Sequence, residues 1–162
     1  MVASDDPDAI RIEGRVLDGA GEPVPDALLE TWQANRLGRY AHAEDSRPEP
    51  PLEAGFTGFG RVATDSDGRF ALVTVKPGAV PGPGGAMQAP HIEVSVFARG
   101  LLKRLVTRIY FPDEQEANAA DPVLGSIEDA AERATLIAEQ RGDSLQFEIR
   151  LQGERQTAFF SI

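Results

Sequence analysis

The side chains that could carry chemistry are few in this sequence, and four of them stand in two pairs of equal spacing. Tyr40 precedes His42 by two residues, and His91 precedes Glu93 by two. A phenolate, an imidazole and a carboxylate from Tyr40, His91 and Glu93 can form a weak three-ligand metal site, to which His42 could add a fourth ligand. The structural alternative makes Tyr40 a buried phenol with one hydrogen bond, His91 a hydrogen-bonded strand residue and His42 a solvent-exposed side chain.

Arg108 is the second chemical candidate, in a stretch with the alternation of a β-strand, residues 104–111. The predicted core face of this strand carries Leu105, Thr107, Ile109 and Phe111. Arg108 therefore shares the opposite face with Val106 and Tyr110. There it can form a surface salt bridge, or its guanidinium can grip a carboxylate through two parallel hydrogen bonds. Arg133 lies in a predicted helix and is expected only to pair with nearby acids.

The composition excludes several classes of function. The chain has 162 residues and a formal net charge of −10, which argues against broad contact with nucleic acid phosphates or with an anionic membrane surface. It has no cysteine, so disulfides, thiolate metal sites and cysteine nucleophiles are excluded. No apolar run approaches the roughly 20 residues of a membrane span, and no signal peptide opens the chain. We therefore expect a cytoplasmic protein.

The elements that must position these side chains predict a single β-sandwich. Residues 1–9 are acidic and predict a flexible N-terminal arm, and residues 10–162 predict one domain. Alternating apolar and polar residues predict strands at 10–16, 27–33, 61–64, 69–75, 91–98, 104–111 and 145–151. The fold class is therefore all-β, a sandwich of about seven or eight strands with long loops and one short helix. The long loop 34–59 is of the kind that carries function or an interface.

Turn and cap residues give three local predictions. Asp65 to Gly68 form a tight turn, which predicts a hairpin between the strands on either side. Ser126 is the predicted N-cap of a helix over residues 127–140. The polar segment 112–126 is predicted to be loop.

Several features favour a non-enzymatic interpretation. The turn Asp18–Gly21, the segment Pro23–Ala27 and the pattern Thr64–Phe70 resemble those of small β-sandwich modules with transthyretin-like or carboxypeptidase-regulatory-like topology. Each has a structural reason, because Asp and Gly make turns, Pro stiffens an edge and Phe70 packs in a core. A binding module is therefore an alternative. An adjacent gene for a homologue with a complete set of tyrosine and histidine ligands would argue against it.

Five short motifs carry a resemblance to a known family. They are Trp32-Gln33-Ala34-Asn35, Gly38-Arg39-Tyr40, Lys76-Pro77-Gly78, Ala89-Pro90-His91-Ile92 and Arg108-Ile109-Tyr110-Phe111. In this order and spacing they resemble the intradiol ring-cleaving dioxygenases, from about residue 10 to the C-terminus. The resemblance implies a β-sandwich that holds a non-haem Fe(III) with two tyrosinates and two histidines. These ligands come from G-x-Y, from a P-G-x-Y-P turn and from an H-x-H strand, in which both imidazoles share one face.

The family's ligand pattern is only half present in this chain. Tyr40 matches the first tyrosine and His91 the first histidine, whereas Val80 stands at the second tyrosine position and Glu93 at the second histidine position. Gln88 stands where catalytic chains carry an arginine. Because valine cannot ligate a metal, the resemblance implies remnant metal-site positions, with no metal and no catalytic residue in this chain.

The resemblance also implies a partner. In two-chain members of the family, a homologous beta chain binds the Fe(III) and an alpha chain keeps the fold with a decayed site. By this resemblance, the chain is an alpha-type subunit of a hetero-oligomer. The complex opens the ring of 3,4-dihydroxybenzoate with O₂, giving 3-carboxy-cis,cis-muconate in aromatic catabolism. Arg108 is then expected to bind substrate in a pocket shared with the partner.

Two points stay open from the sequence. Alpha chains of the family carry an N-terminal segment with a T-x-G-P-type motif, which has no counterpart in these residues, so the sequence fits either a truncated chain or a divergent member. The second open point is whether the chain is instead a self-sufficient dioxygenase with an unusual ligand set. The red-brown colour of a ferric tyrosinate in the purified chain would reveal such an enzyme.

Overall fold

Ten β-strands and three short helices make up the computed structural model, which describes residues 6–161. The strands are β1 (Ala9–Leu17), β2 (Leu28–Trp32), β3 (Phe59–Ala63), β4 (Arg69–Val75), β5 (Val80–Pro81), β6 (Met87–Gln88), β7 (His91–Phe97), β8 (Leu105–Tyr110), β9 (Glu139–Arg141) and β10 (Ser144–Arg150). The helices are α1 (Gln115–Ala120), α2 (Pro122–Gly125) and α3 (Ala130–Ala134), and a 3₁₀ turn spans Pro83–Gly85.

Eight of the strands form two four-stranded sheets whose inner faces pack together. The first sheet has the order β4-β1-β10-β9 and the second the order β3-β2-β7-β8, while β5 and β6 form a separate small ladder. Inward residues alternate along the strands, so both sheets contribute side chains to one apolar core. Its buried members include Ile12, Leu72 and Ile149 from the first sheet, and Leu29, Ile92 and Ile109 from the second. The predicted all-β sandwich is confirmed.

The turn at Asp65–Gly68 forms, but it does not make the predicted hairpin. Gly68 N donates to Asp65 O at 2.9 Å, and Gly68 has a φ of +69°, which glycine adopts without a Cβ clash. β3, however, pairs with β2, and β4 pairs with β1 in the other sheet. Thr64 N donates to Ala27 O at 2.9 Å and Thr64 Oγ1 accepts from Ala27 N at 3.0 Å, so the pairing of β3 with the chain around β2 continues up to the turn. Alternation and a tight turn specify strands and a reversal, but they do not specify the sheet that each strand joins.

The helix predicted over residues 127–140 is wrong in its length and in its cap. Only α3 is helical in this stretch, and its N-cap is Asp129 instead of Ser126. The Asp129 side chain accepts a hydrogen bond from Ala131 N at 2.8 Å. Thr135 and Leu136 form a turn after α3, and Ile137 then forms a β-bridge with Tyr110 before β9 begins.

Pairing with β8 explains why the helix stops early. Tyr110 N donates to Leu136 O at 2.8 Å, and Ala138 N donates to Tyr110 O at 3.0 Å. Leu136 and Ala138 become buried in this arrangement. Burial of these side chains outweighs the helix propensity of an alanine-rich segment, because short helices gain most of their stability from packing.

The segment 112–126, predicted to be loop, contains α1 and α2. The Asp121 side chain caps α2 by accepting from Val123 N at 2.8 Å and Leu124 N at 2.9 Å. Leu124 packs in a second apolar cluster with Tyr110. The fold therefore has three short helices in the described residues where the sequence predicted one.

The described chain begins close to the first strand. Asp6 Oδ1 accepts a hydrogen bond from Arg36 Nη2 at 2.7 Å, and β1 starts at Ala9. Residues 1–5 of the predicted N-terminal arm lie outside the described residues. Within residues 6–161, no helix has the length and apolar character needed to cross a membrane.

Candidate functional site

The side chains singled out in the sequence meet on the outer face of the second sheet. Along β7, His91 and Glu93 point away from the core, since the residues that alternate with them are fully buried in it. Strand pairing sets Glu93 between Trp32 of β2 and Arg108 of β8. The same register sets His91 beside Tyr110. Two cross-strand rows therefore bring these five side chains into one patch.

A cleft of about 530 Å³ opens on this face of the sheet. The aromatic rings of Trp32, Phe59 and Phe160 line it together with the cationic side chains of Arg104 and Arg108. The remaining lining residues are Glu30, Thr31, Glu93, Ser95, Val106 and Val123. The C-terminal segment reaches the cleft because Phe160 pairs with Val106 at the edge of β8. The cleft thus combines aromatic surface with two guanidinium groups and the carboxylates of Glu30 and Glu93.

A larger groove of about 990 Å³ runs along the outer face of the first sheet. About half of its lining residues are charged, and six of these form ion pairs with one another: Arg11 with Glu13 at 2.6 Å, Arg150 with Glu148 at 2.9 Å and Arg141 with Glu139 at 3.1 Å. None of the candidate site residues lines it. This groove is a salt-bridged, solvated surface, and the smaller cleft is the one that holds the candidate chemistry.

Arg108 is ion-paired, and its side chain is only 15% exposed. Its Nη2 donates to Glu93 Oε1 at 2.9 Å, and its Nη1 donates to Gln88 Oε1 at 2.6 Å and to the Tyr110 hydroxyl at 3.3 Å. Its Cζ lies 5.8 Å from the ring centroid of Phe160. Burial acts to lower the pKa of Arg108, but the contacts with Tyr110 and Glu93 outweigh it and raise that pKa. The guanidinium is therefore a fixed cation that links β6, β7 and β8.

His91 is buried and carries a defined tautomer. Its side chain is 3% exposed, and its Nδ1 lies 2.7 Å from Ala89 O. A carbonyl oxygen can only accept, so Nδ1 carries the proton and Nε2 presents a lone pair. Burial, followed by the positive charge of Arg108, lowers the pKa of His91. The imidazole is therefore neutral at pH 7.

Tyr40 reaches the same face from the long loop after β2. Its ring stacks on Trp32, with centroids 6.0 Å apart and planes within 6°. The exposed His42 ring is perpendicular to the same indole, with centroids 6.1 Å apart. Its backbone N–H donates to Asp45 Oδ2 at 2.9 Å. Burial, followed by the negative charge of Glu93, raises the pKa of Tyr40 to about 12. The phenol is therefore protonated at neutral pH.

Asn35 and two glycines hold this loop against the turn that leads to Val80. Asn35 O accepts from Gly38 N at 3.0 Å and from Gly78 N at 2.9 Å. Gly38 has a φ of +82°, and a Cβ there would collide with the carbonyl oxygen of Ala79. Backbone packing therefore explains the motifs around Asn35, Gly38 and Gly78, because the loop after β2 and the turn before Val80 touch there with no side chain between them.

Val80 and Gln88 face each other across the β5–β6 ladder. Val80 is buried, and its aliphatic side chain offers no lone pair. The Gln88 side chain is occupied by its bond with Arg108. At the two positions where the resemblance implies a tyrosine ligand and an arginine, this chain therefore has an apolar side chain and a neutral amide.

Asp121 is a buried carboxylate that the sequence analysis did not single out. It is 1% exposed, and its Oδ2 accepts from Ala89 N at 2.7 Å. Its Oδ1 accepts from two backbone N–H groups of α2, at 2.8 and 2.9 Å, and from the Tyr110 hydroxyl at 3.3 Å. Asp121 therefore ties α2 to the segment that precedes His91. The available signal was the Asp-Pro pair at 121–122, since Asp favours the N-cap and Pro the first helical position.

Comparison with known proteins identifies the family. The profile of the family described as Dioxygenase matches residues 2–153. The chain is 46% identical over 156 residues to the protocatechuate 3,4-dioxygenase alpha chain of Pseudomonas putida. The aligned region covers 93% of this chain and 75% of that one. This chain belongs to the intradiol ring-cleaving dioxygenase family.

A beta chain and a solved structure extend the comparison within the intradiol dioxygenases. The protocatechuate 3,4-dioxygenase beta chain of Burkholderia cepacia is 40% identical over 157 residues, or 91% of this chain and 66% of that one. The dioxygenase domain of a dioxygenase–carbohydrate-binding fusion from Streptomyces sp. SirexAA-E superposes with a TM-score of 0.63 and 27% identity, over 94% of this chain and 85% of that one. These relatives favour an enzyme subunit over the transthyretin-like or carboxypeptidase-regulatory-like binding module.

Intradiol dioxygenases are iron enzymes, but the described residues of this chain do not fit an iron site. Tyr40 and His91 are donors of the right kind, whereas Val80 has no ligand atom and Glu93 is bonded to Arg108. Within residues 6–161, no group of three or more His, Cys, Asp or Glu side chains is placed to hold a metal ion. In the three-ligand set suggested by the sequence, which is Tyr40, His91 and Glu93, the Glu93 carboxylate is therefore bonded to the Arg108 guanidinium.

Proposed function

We propose that this chain is the alpha subunit of a protocatechuate 3,4-dioxygenase and works with a homologous beta chain that holds the Fe(III). The chain is 46% identical to an alpha chain and 40% identical to a beta chain. The observation that carries the proposal is the altered ligand set. Val80 offers no donor, and Glu93 is engaged by Arg108, as suits a subunit that binds no iron.

The proposed reaction joins 3,4-dihydroxybenzoate and O₂. Both oxygen atoms enter the product, and the bond between the two hydroxylated ring carbons breaks, which gives 3-carboxy-cis,cis-muconate with all atoms conserved. Iron in the partner supplies the oxygen chemistry, while this chain completes the pocket and builds the hetero-oligomer. A cytoplasmic complex in aromatic catabolism agrees with a chain that has no cysteine.

Arg108 is the residue of this chain that we assign to the substrate in a pocket shared with the partner. The substrate is an aromatic carboxylate, and the cleft offers two guanidinium groups beside aromatic rings. Arg104 lies in the same cleft and is exposed. The Arg108 guanidinium would hold the substrate carboxylate by hydrogen bonds, and the exposed charge of Arg104 would attract an anionic substrate to the mouth of the pocket.

Co-expression with a beta-chain homologue tests the proposal. Iron content, oxygen uptake and formation of 3-carboxy-cis,cis-muconate are measured for the pair and for each chain by itself. We expect one iron per pair, held by the beta chain, with full turnover of protocatechuate only when both chains are present. Stoichiometric iron and ring cleavage from this chain alone would overturn the proposal in favour of a self-sufficient enzyme. Failure of the two chains to co-purify would also overturn it.

A further inference from the structure

An ion pair lies among the side chains that an iron site would need. We call Tyr40, Val80, His91 and Glu93 the remnant site. Glu93 is flanked by Trp32 on one side and by Arg108 on the other. Because Tyr40 stacks on Trp32, the phenol, the Glu93 carboxylate and the Arg108 guanidinium share one environment.

The hydrogen bonds around Arg108 are those of a bound cation. Three acceptors converge on the guanidinium: Glu93 Oε1, Gln88 Oε1 and the Tyr110 hydroxyl. A guanidinium has only N–H donors and no lone pair, so it cannot serve as a metal ligand. Of the remnant-site donors, the Glu93 carboxylate is the one bonded to Arg108, at 2.9 Å, while Gln88 and Tyr110 hold the guanidinium from outside that set.

The charge of Arg108 is balanced only by Glu93 within this group. Glu93 is the one carboxylate among the remnant-site residues, and its Oε1 accepts from Arg108 Nη2 at 2.9 Å. Replacing Glu93 with histidine would supply a ligand but remove the negative charge that balances Arg108. A di- or trivalent ion would then face an uncompensated guanidinium in a half-buried site, where like charges repel strongly.

We propose that Arg108 takes the place of the metal cation in the remnant site, and that its positive charge keeps iron out even when the missing ligands are restored. The inference concerns only residues of this chain, so it stands or falls independently of the proposed beta partner. The positive charge of Arg108 is thus a cause of iron exclusion in addition to the two missing ligands at Val80 and Glu93.

The test compares two variants of the full chain. The first restores the ligands, V80Y/E93H, and the second adds the loss of charge, V80Y/E93H/R108Q. Each is purified, incubated with Fe(III) or Co(II), desalted and analysed for bound metal and for visible absorption from tyrosinate charge transfer. We expect V80Y/E93H to stay metal-poor and V80Y/E93H/R108Q to bind at least about tenfold more metal, with new visible absorption.

Two controls separate charge from other effects. V80Y/E93H/R108K keeps the positive charge but loses the planar fork, and we expect it to stay as metal-poor as V80Y/E93H. V80Y/E93H/R104Q removes a different cation from the same cleft, one that has no bond with Glu93, and we expect it to stay metal-poor as well. Circular dichroism and a cooperative thermal transition establish that each variant is folded.

Three results would overturn the proposal. Equal metal in V80Y/E93H and V80Y/E93H/R108Q would show that Arg108 does not exclude the ion. A folded V80Y/E93H/R108Q that stays metal-free, or metal binding by V80Y/E93H/R108K, would do the same. If the bulky Val80→Tyr change unfolds the chain, the pair E93H and E93H/R108Q is compared instead, with the same direction expected for Co(II).

Discussion

Arg108 holds a positive charge in the cleft through three acceptors, so its replacement tests whether that charge reaches a substrate. In the assembled enzyme, we expect Arg108→Ala to lower kcat/KM for protocatechuate by about ten- to a hundredfold, since a charge-assisted contact is worth about 1.5–3 kcal/mol. Catechol lacks the carboxylate and should be affected less. Iron content should stay unchanged if the partner supplies every ligand.

The matched control for Arg108→Ala is Arg104→Ala, which removes an exposed cation from the same cleft. Because an exposed charge acts on the substrate only through screened, long-range attraction, we expect a smaller effect that shrinks with added salt. An Arg108→Ala enzyme with wild-type kcat/KM for protocatechuate would remove Arg108 from the substrate pocket. Arg108 would then have only a role within this chain.

Asp121 is the buried carboxylate on which the geometry around His91 depends. Asp121→Asn replaces an acceptor of four hydrogen bonds with an amide that has one acceptor oxygen, so at least one buried N–H loses its partner. We expect the free energy of unfolding to fall by about 1–3 kcal/mol, measured by urea denaturation. Asp129→Asn is the control, because Asp129 caps the exposed α3 and Asn is an equally good cap. A similar loss in both variants would contradict this account.

His91 gives the fold a specific pH dependence. Its pKa in the folded chain is lowered from 6.5, mainly by burial, so the unfolded chain binds more protons at this residue. Its contribution to stability is therefore complete above pH 6.5 and is lost as the pH falls toward the folded-state pKa, with a slope of at most about 1.4 kcal/mol per pH unit.

We expect His91→Gln to reduce the loss of stability between pH 6.5 and pH 5, measured by thermal or urea unfolding. The charged or polar groups around the imidazole are Arg108, Glu93, Asp121 and Tyr110, and they are present in both proteins. His42→Gln, at an exposed position, is the control and should keep the wild-type profile. Identical pH profiles for His91→Gln and wild type would show that His91 does not carry this dependence.

At the scale of elements, the long loop after β2 depends on a close backbone approach at Gly38. Gly38→Ala would place a Cβ against Ala79 O at a left-handed φ of +82°. We expect a loss of about 2 kcal/mol or more in the free energy of unfolding, because the clash adds to the roughly 1–2 kcal/mol cost of that conformation. The near-UV circular dichroism of Trp32 should also change, since Tyr40 stacks on it from this loop.

Gly55→Ala is the matched control for Gly38→Ala. Gly55 has a φ of +79°, but a Cβ there meets open space. Only the conformational cost of about 1–2 kcal/mol should appear, with no change in the Trp32 signal. Equal effects of the two substitutions on both measurements would mean that the contact between Gly38 and Ala79 does not shape the loop.

At the scale of the whole molecule, several large apolar side chains are exposed. They are Leu37, Leu52, Phe59, Met87 and Leu102. Phe59 also lines the cleft, beside Trp32. Contiguous apolar surface favours association when no partner covers it. The adjacent Phe59 and Trp32 side chains in the cleft form such a surface, which a partner would cover.

We expect the chain expressed alone to self-associate or to be poorly soluble, as measured by light scattering over a range of concentrations. Co-expression with the beta chain should suppress that association, because binding of a partner removes apolar surface from water. A stable monomer at high concentration, unchanged by the partner, would contradict the subunit role.

Local patterns in the sequence were sufficient to predict most of the strands and the residues of the candidate site. Period-two alternation located the strands around Ile12, Leu72, Val94, Ile109 and Ile149 because each strand has one buried face, and side-chain direction then follows from residue spacing alone. The same spacing set His91 and Glu93 on one face. Together with the family resemblance, the identities of Val80 and Glu93 predicted an incomplete ligand set.

Long-range pairing decided the rest, and short-range signals do not encode it. The turn at Asp65–Gly68 is local, but the sheets that β3 and β4 join depend on partners distant in sequence. The helix ends early because burial of Leu136 against β8 outweighs local propensity. The bonds of Arg108 with Gln88 and Glu93, and the four-way contact of Asp121, likewise form only when separate elements meet. The sequence could therefore predict which residues belong to the site, whereas their charge pairing could be read only from the tertiary structure.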